Sequence, residues 1–120
     1  MNELKLGVVE SRFADIIWDN EPLSTAELVR RCEEELNWKR STTYTVLKRL
    51  SERGLFRNDG GTVTSLLSRR DFYSKQSEKF VEETFHGSLP AFLAAFTARK
   101  TLTEEEIAEI RQWIDSCGEN

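Results

Sequence analysis

Residues 39–63 read KRSTTYTVLKRLSERGLFRNDGGTV, and the fold turns on how that stretch divides. In its first half Thr43, Val46, Leu47 and Leu50 recur at three- and four-residue spacings, which place them on one side of a helix. Ser41, Tyr44, Thr45 and Lys48 fall on the other side. The first side suits a core, and the second is left to meet solvent or a partner. Gly54 stands where a helix commonly ends in a left-handed residue. Beyond it, Leu55-Phe56-Arg57-Asn58 and Thr62-Val63-Thr64-Ser65-Leu66-Leu67 flank Asp59-Gly60-Gly61, a composition that favours positive backbone dihedrals in a hairpin loop. A basic, hydroxyl-rich helix followed at once by a hairpin is the layout of a winged helix-turn-helix. Hydroxyls and an amine on the free side can bond base edges or phosphates in a major groove about 12 Å wide. Taken alone, the same pattern also fits a solvated amphipathic helix.

Charge distribution separates the two. The formal net charge is −4, yet residues 1–37 carry −5, residues 38–75 carry +6 and residues 76–120 carry −5. Basic charge is thus concentrated where the exposed hydroxyls are, as expected of a surface that neutralises phosphates and releases counterions. The local field, not the global isoelectric point, decides docking.

The flanking elements complete the motif. Val9, Phe13, Ile16, Ile17 and Trp18 follow helical spacing until Asp19-Asn20-Glu21-Pro22 stops them. Ser24 with Glu27 forms a capping box, so a second helix is predicted from about Thr25 to Leu36, with Ala26, Leu28, Val29, Cys32 and Leu36 facing inward. Leu23 just before it can supply a short edge strand, and Ser41 is placed to cap the third helix. Downstream, a fourth helix is expected from Asp71 to about Phe85 and a fifth from Ser88 to about Thr97, with Pro90 tolerated in its first turn. Thr103 and Glu106 form another capping box that opens a sixth helix.

The fold class is therefore mainly α: a winged helix-turn-helix of three helices plus a β-hairpin wing over 6–70, then a C-terminal helical dimerisation region over 71–118. Three short helices cannot bury Phe80, Phe85, Leu89, Phe92, Phe96, Ile107, Ile110, Trp113 and Ile114 on one another, so these are the dimerisation candidates. A twofold partner suits a reader that meets paired half-sites. Packing back onto the winged domain is the simpler alternative. The candidates for DNA contact are Arg40, Ser41, Thr42, Tyr44, Thr45 and Lys48, with Arg49 and Arg57 assigned to phosphates.

Other chemistries find little support. A chain of 120 residues leaves small room for an enzyme cleft, and its one histidine, His86, cannot assemble a histidine-based metal site or triad. Gly60-Gly61 lacks the lysine and following helix of a phosphate-binding loop. No enzyme activity, cofactor or metal is expected. No stretch approaches the ~20 apolar residues of a membrane span, and MNELKLGVVE has no basic-then-apolar signal pattern, so a cytoplasmic protein is expected. Cys32 and Cys117 lie far apart and fit reduced thiols, with Cys32 as a small core side chain.

With its elements in this order the chain resembles the penicillinase-repressor family (BlaI/MecI/CopY) from about Glu10 to Ile114. The matching landmarks are Ile16-Ile17-Trp18, the string from Ser41 to Leu50, the Gly54-Leu55 step into the wing, and Leu102-Thr103 with Glu106-Ile107. The resemblance implies a homodimeric transcriptional repressor that binds a palindromic double-stranded DNA operator through its N-terminal winged helix and dimerises through its C-terminal helices. It also implies control of antibiotic-resistance-like or stress genes. In the antibiotic-responsive branch a sensor protease system triggers cleavage between an asparagine and a phenylalanine, a position that aligns with Ala95 and Phe96. The copper-responsive branch has paired cysteines where this chain has Cys117 alone. Two other readings remain open at this level: a winged-helix protein-interaction module, and a small-molecule-responsive regulator of similar shape.

Overall fold

A computed structural model describes residues 5–117. The chain divides into two compact units, Met1–Ser77 and Glu78–Asn120. Among the described residues the first unit contains α1 (Val8–Asn20), β1 (Leu23–Ser24), α2 (Thr25–Leu36), α3 (Arg40–Glu52), β2 (Phe56–Asp59) and β3 (Thr62–Ser65). Helix α4 (Arg69–Phe85) runs across the division, and α5 (Leu89–Thr97) and α6 (Glu104–Cys117) belong to the second unit. The fold is the mainly helical, winged helix-turn-helix class that the sequence predicts.

The core of the first unit forms around Phe13, Ile17, Leu28, Cys32, Leu50, Phe56, Val63 and Phe72, all fully buried. Its aromatic members lock together: Phe13 stacks on Trp38 at 5.5 Å, and Trp18 lies 5.7 Å from both Phe56 and Phe72. Phe72 thus serves the first unit's core although it lies beyond residue 70. Just before it, Arg69 bonds Asp19 at 2.7 Å and Asp15 at 3.1 Å and lies over the Trp18 ring. Burial drives the Cys32 thiol up to about 11, so this residue is a neutral core side chain at physiological pH.

The three strands form an antiparallel sheet in the order β1-β3-β2. Asp59 pairs with Thr62, so the wing closes through Gly60-Gly61 alone, one residue tighter than the loop expected from sequence. Both glycines have positive φ, +61° and +94°, the geometry that a two-residue hairpin requires and that glycine adopts without steric cost. The second strand of the hairpin ends at Ser65 rather than Leu67: the Leu66 N–H still donates to the opposed Leu55 carbonyl at 2.8 Å, but the Leu67 N–H turns back to that same carbonyl at 3.4 Å, which ends the ladder.

Several local expectations need correction. Val9 and Ala26 face outward despite lying on helical patterns. Periodicity marks a stripe but not its edges, and Val9 precedes the first turn that packs on the core. Ser41 is not the cap of α3. The helix begins one residue before it, with Lys39 as the capping residue and the Thr43 N–H donating to the Lys39 carbonyl at 3.1 Å. Helix α4 likewise starts early, at Arg69, where the Ser68 hydroxyl accepts the Asp71 N–H at 3.1 Å. In the second unit, Thr103 and Glu106 make the reciprocal capping box of α6, at 2.9 and 3.0 Å. Ser88 caps α5 from just outside it by accepting the Ala91 N–H.

Candidate nucleic-acid interface

Helix α3 is held from beneath and from both ends. Thr43, Val46, Leu47 and Leu50 are buried, which commits one side to the core. Trp38, stacked on Phe13, fixes the chain where it enters. At the exit the Gly54 N–H donates to the Ser51 carbonyl and the Leu55 N–H to the Leu50 carbonyl, each at 3.0 Å, with Gly54 at φ +85°. This is a Schellman ending: it satisfies orphan carbonyls and places the buried Leu55 against the buried Leu50. A helix so constrained presents its other side as a fixed surface.

That surface carries Arg40, Ser41, Thr42, Tyr44, Thr45 and Lys48, all exposed. The structure brings these six candidates together on one helix. Arg40 lies over the Tyr44 ring, its guanidinium carbon 5.7 Å from the centroid. The Thr25 side chain, by hydrogen bonding, and then Arg40 lower the pKa of the Tyr44 phenol from its ordinary value. Thr25 was not among the sequence candidates. Its N–H also donates to the Gly61 carbonyl at the wing turn, at 3.0 Å, so one residue at the start of α2 touches both the wing and the exposed side of α3. No local spacing could reveal this, since each contact joins residues far apart in the chain.

Arg49 and Arg57 stand apart from the six. Arg49 bonds the Glu10 carboxylate at 2.8 Å and thereby ties α3 to α1. The Gly7 N–H, which donates to Glu10 at 3.1 Å, then Arg49 and Arg53 hold the Glu10 carboxyl below the usual range. Arg57 lies on β2, exposed and only 3.5 Å from Asp59 in a loose surface pair. Asn58 accepts the Gly61 N–H at 3.0 Å and firms the wing turn.

The second unit shows the opposite character. Phe85 and Phe92 meet edge to face at 5.7 Å, and Phe80 and Phe96 extend this row. Yet α5 and α6 bury no residue fully. Phe80, Leu89, Phe96, Trp113 and Ile114 are exposed, Trp113 to 59 %. Phe85, Phe92, Ile107 and Ile110 are half-buried. Among the described residues no group of three or more His, Cys, Asp or Glu is placed to hold a metal ion, and no helix is long and apolar enough to cross a membrane.

Comparison with known proteins gives a consistent picture. The methicillin resistance regulatory protein MecI of Staphylococcus aureus is 23% identical over 115 residues, which cover 92% of this chain and 94% of that protein. The penicillinase repressor of Bacillus licheniformis is 26% identical over 104 residues, 83% of this chain and 81% of that one. The model of the penicillinase repressor family matches residues 6–116, which include the winged unit, α4, α5 and nearly all of α6. The chain therefore belongs to the penicillinase repressor family of transcription regulators.

Proposed function

We propose that this protein is a DNA-binding repressor, not an enzyme, that works in the cytoplasm as a homodimer on a twofold-symmetric operator. The observation that carries the reading is the exposed side of α3: an arginine, a lysine, three small hydroxyls and a phenol on a helix whose opposite side is locked into the core. Such a helix can enter a major groove without rearranging, and its hydroxyls and cations are the groups that bond base edges and phosphates. Residues 6–70, extended by the first turns of α4, serve as the reader, and the remainder to 118 serves as the assembly region. Phe80, Phe85, Leu89, Phe92, Phe96, Ile107, Ile110, Trp113 and Ile114 supply its apolar contacts. Arg57 meets phosphate from the wing, and Arg49 acts chiefly as a tie to α1.

Titration of duplexes selected from random DNA tests the reading. Wild-type protein should bind a palindromic site with a steep salt dependence, and Lys48→Ala should weaken it without changing thermal stability. A loss of about 1–3 kcal/mol confined to one operator position marks a base contact; a uniform loss with a shallower salt slope marks a phosphate contact. Wild-type affinity in Lys48→Ala and Tyr44→Ala alike would remove α3 from the interface.

A further inference from the structure

Arginines in the first unit are mostly occupied by carboxylates. Arg30 and Arg31 face Glu27, Arg49 faces Glu10, and Arg69 faces Asp15 and Asp19. Arg12, Arg40 and Arg70 have no carboxylate partner among the described residues, and of these Arg40, the first residue of α3, has its guanidinium over an aromatic ring, that of Tyr44. A cation over an aromatic face is held by the ring's quadrupole, here with a hydrogen-bonding interaction to the Tyr44 phenol beside it, and its remaining N–H donors stay available at its edge. A side chain that needs only to place charge near a phosphate gains little from such a platform, and Lys39 at the cap of α3 and Lys48 on it already supply point charges. A side chain that must present a planar fork at one angle gains a good deal. The position agrees, because the N-terminal residues of a recognition helix are the ones that reach base edges.

We propose that Arg40 and Tyr44 form a preassembled guanine reader, in which Arg40 donates in two prongs to O6 and N7 of one guanine in each half-site and the Tyr44 ring fixes the guanidinium's plane. Two-pronged arginine recognition of O6 and N7 is the commonest base-specific contact in a major groove, and no other base offers that pair of acceptors. Tyr44 is then a positioning residue, acting through its ring, with Arg40 as the specificity-determining group. This assignment rests on the reading above that α3 enters the groove.

The test uses the full-length protein and a duplex selected from random DNA. At the selected guanine, 7-deazaguanine, which keeps base pairing but lacks the N7 acceptor, should weaken wild-type binding by about 5- to 150-fold. Arg40→Ala should bind both duplexes equally. Tyr44→Phe should keep most of the penalty, and Tyr44→Ala should lose most of it. Thermal unfolding should show every variant folded, with Arg40→Ala matching wild type and the Tyr44 variants losing no more than the surface contact with Thr25. If Arg40→Ala retains the full guanine preference, or weakens all sequences equally with a shallower salt slope, Arg40 is a phosphate contact and the assignment is overturned, while the operator reading stands. If Tyr44→Phe loses the penalty as Tyr44→Ala does, the ring platform is overturned. If wild-type protein selects no sequence at all, the operator reading itself fails and takes this assignment with it.

Discussion

Glu10 accepts from two donors, the Gly7 N–H and the Arg49 guanidinium, with the Arg53 guanidinium 4.0 Å away, and its pKa is lowered from the ordinary 4.5. A carboxylate whose folded pKa is depressed stabilises the fold above its unfolded value and loses that contribution as pH falls through the folded one. The window is therefore the acid side of about 4.5, and neutral pH lies on its plateau. Glu10→Gln should lower the urea midpoint at neutral pH and flatten its fall below that point; parallel acid limbs in variant and wild type would show that Glu10 contributes nothing. The same residue shows where sequence reading stops. Glu10 and Arg49 are thirty-nine positions apart. A charge pattern on α3 places Arg49 near the basic surface, whereas only the packing of α1 on α3 gives it a carboxylate. Thr25 likewise meets Tyr44 and Gly61 only through the packing of α2.

At the scale of the element, what was legible is what local chemistry determines. The two sides of α3, the left-handed Gly54, the capping box of α6 and the paired wing glycines all follow from spacing and backbone sterics within a few residues. Element ends were less legible, because a helix start depends on which carbonyl the next N–H finds. Ser41 has the right chemistry for a cap, but the Thr43 N–H finds the Lys39 carbonyl, so the helix starts before Ser41. The two halves of α3 should respond differently to substitution. Leu50→Ala empties a fully buried position and should cost about 2–5 kcal/mol in denaturant unfolding. Lys48→Ala, on the exposed side, should leave the midpoint unchanged and affect DNA binding alone. In the wing, Gly61→Val forces a β-branched residue to φ +94° and should destabilise the fold measurably by thermal melting, although open space surrounds the new Cβ.

For the whole molecule the question is how the second unit's apolar surface is used and how DNA is released. Ala95 and Phe96 lie inside α5, in a regular helical turn, and Ala95 replaces the asparagine of the cleavage site that the family resemblance implies. Proteases take substrates in extended form, so cutting there would first require α5 to unwind. In cells exposed to a β-lactam antibiotic an immunoblot should show full-length protein; a fragment ending near Ala95 would restore cleavage as the release step. Assembly is the more direct test. Burying Phe96, Trp113 and Ile114 against a second copy would be worth ~1.5–3 kcal/mol for each side chain fully covered. Linking two readers also turns the second half-site contact into an intramolecular event, which raises affinity without new contacts. A glutamate at Phe96 or Ile114 places a charge in that seam yet leaves the core of the first unit untouched. Each variant should sediment as a monomer, bind a single half-site about as well as wild type, and bind the full operator far more weakly. A variant that stays dimeric at micromolar concentration would show that these helices are not where the two copies meet.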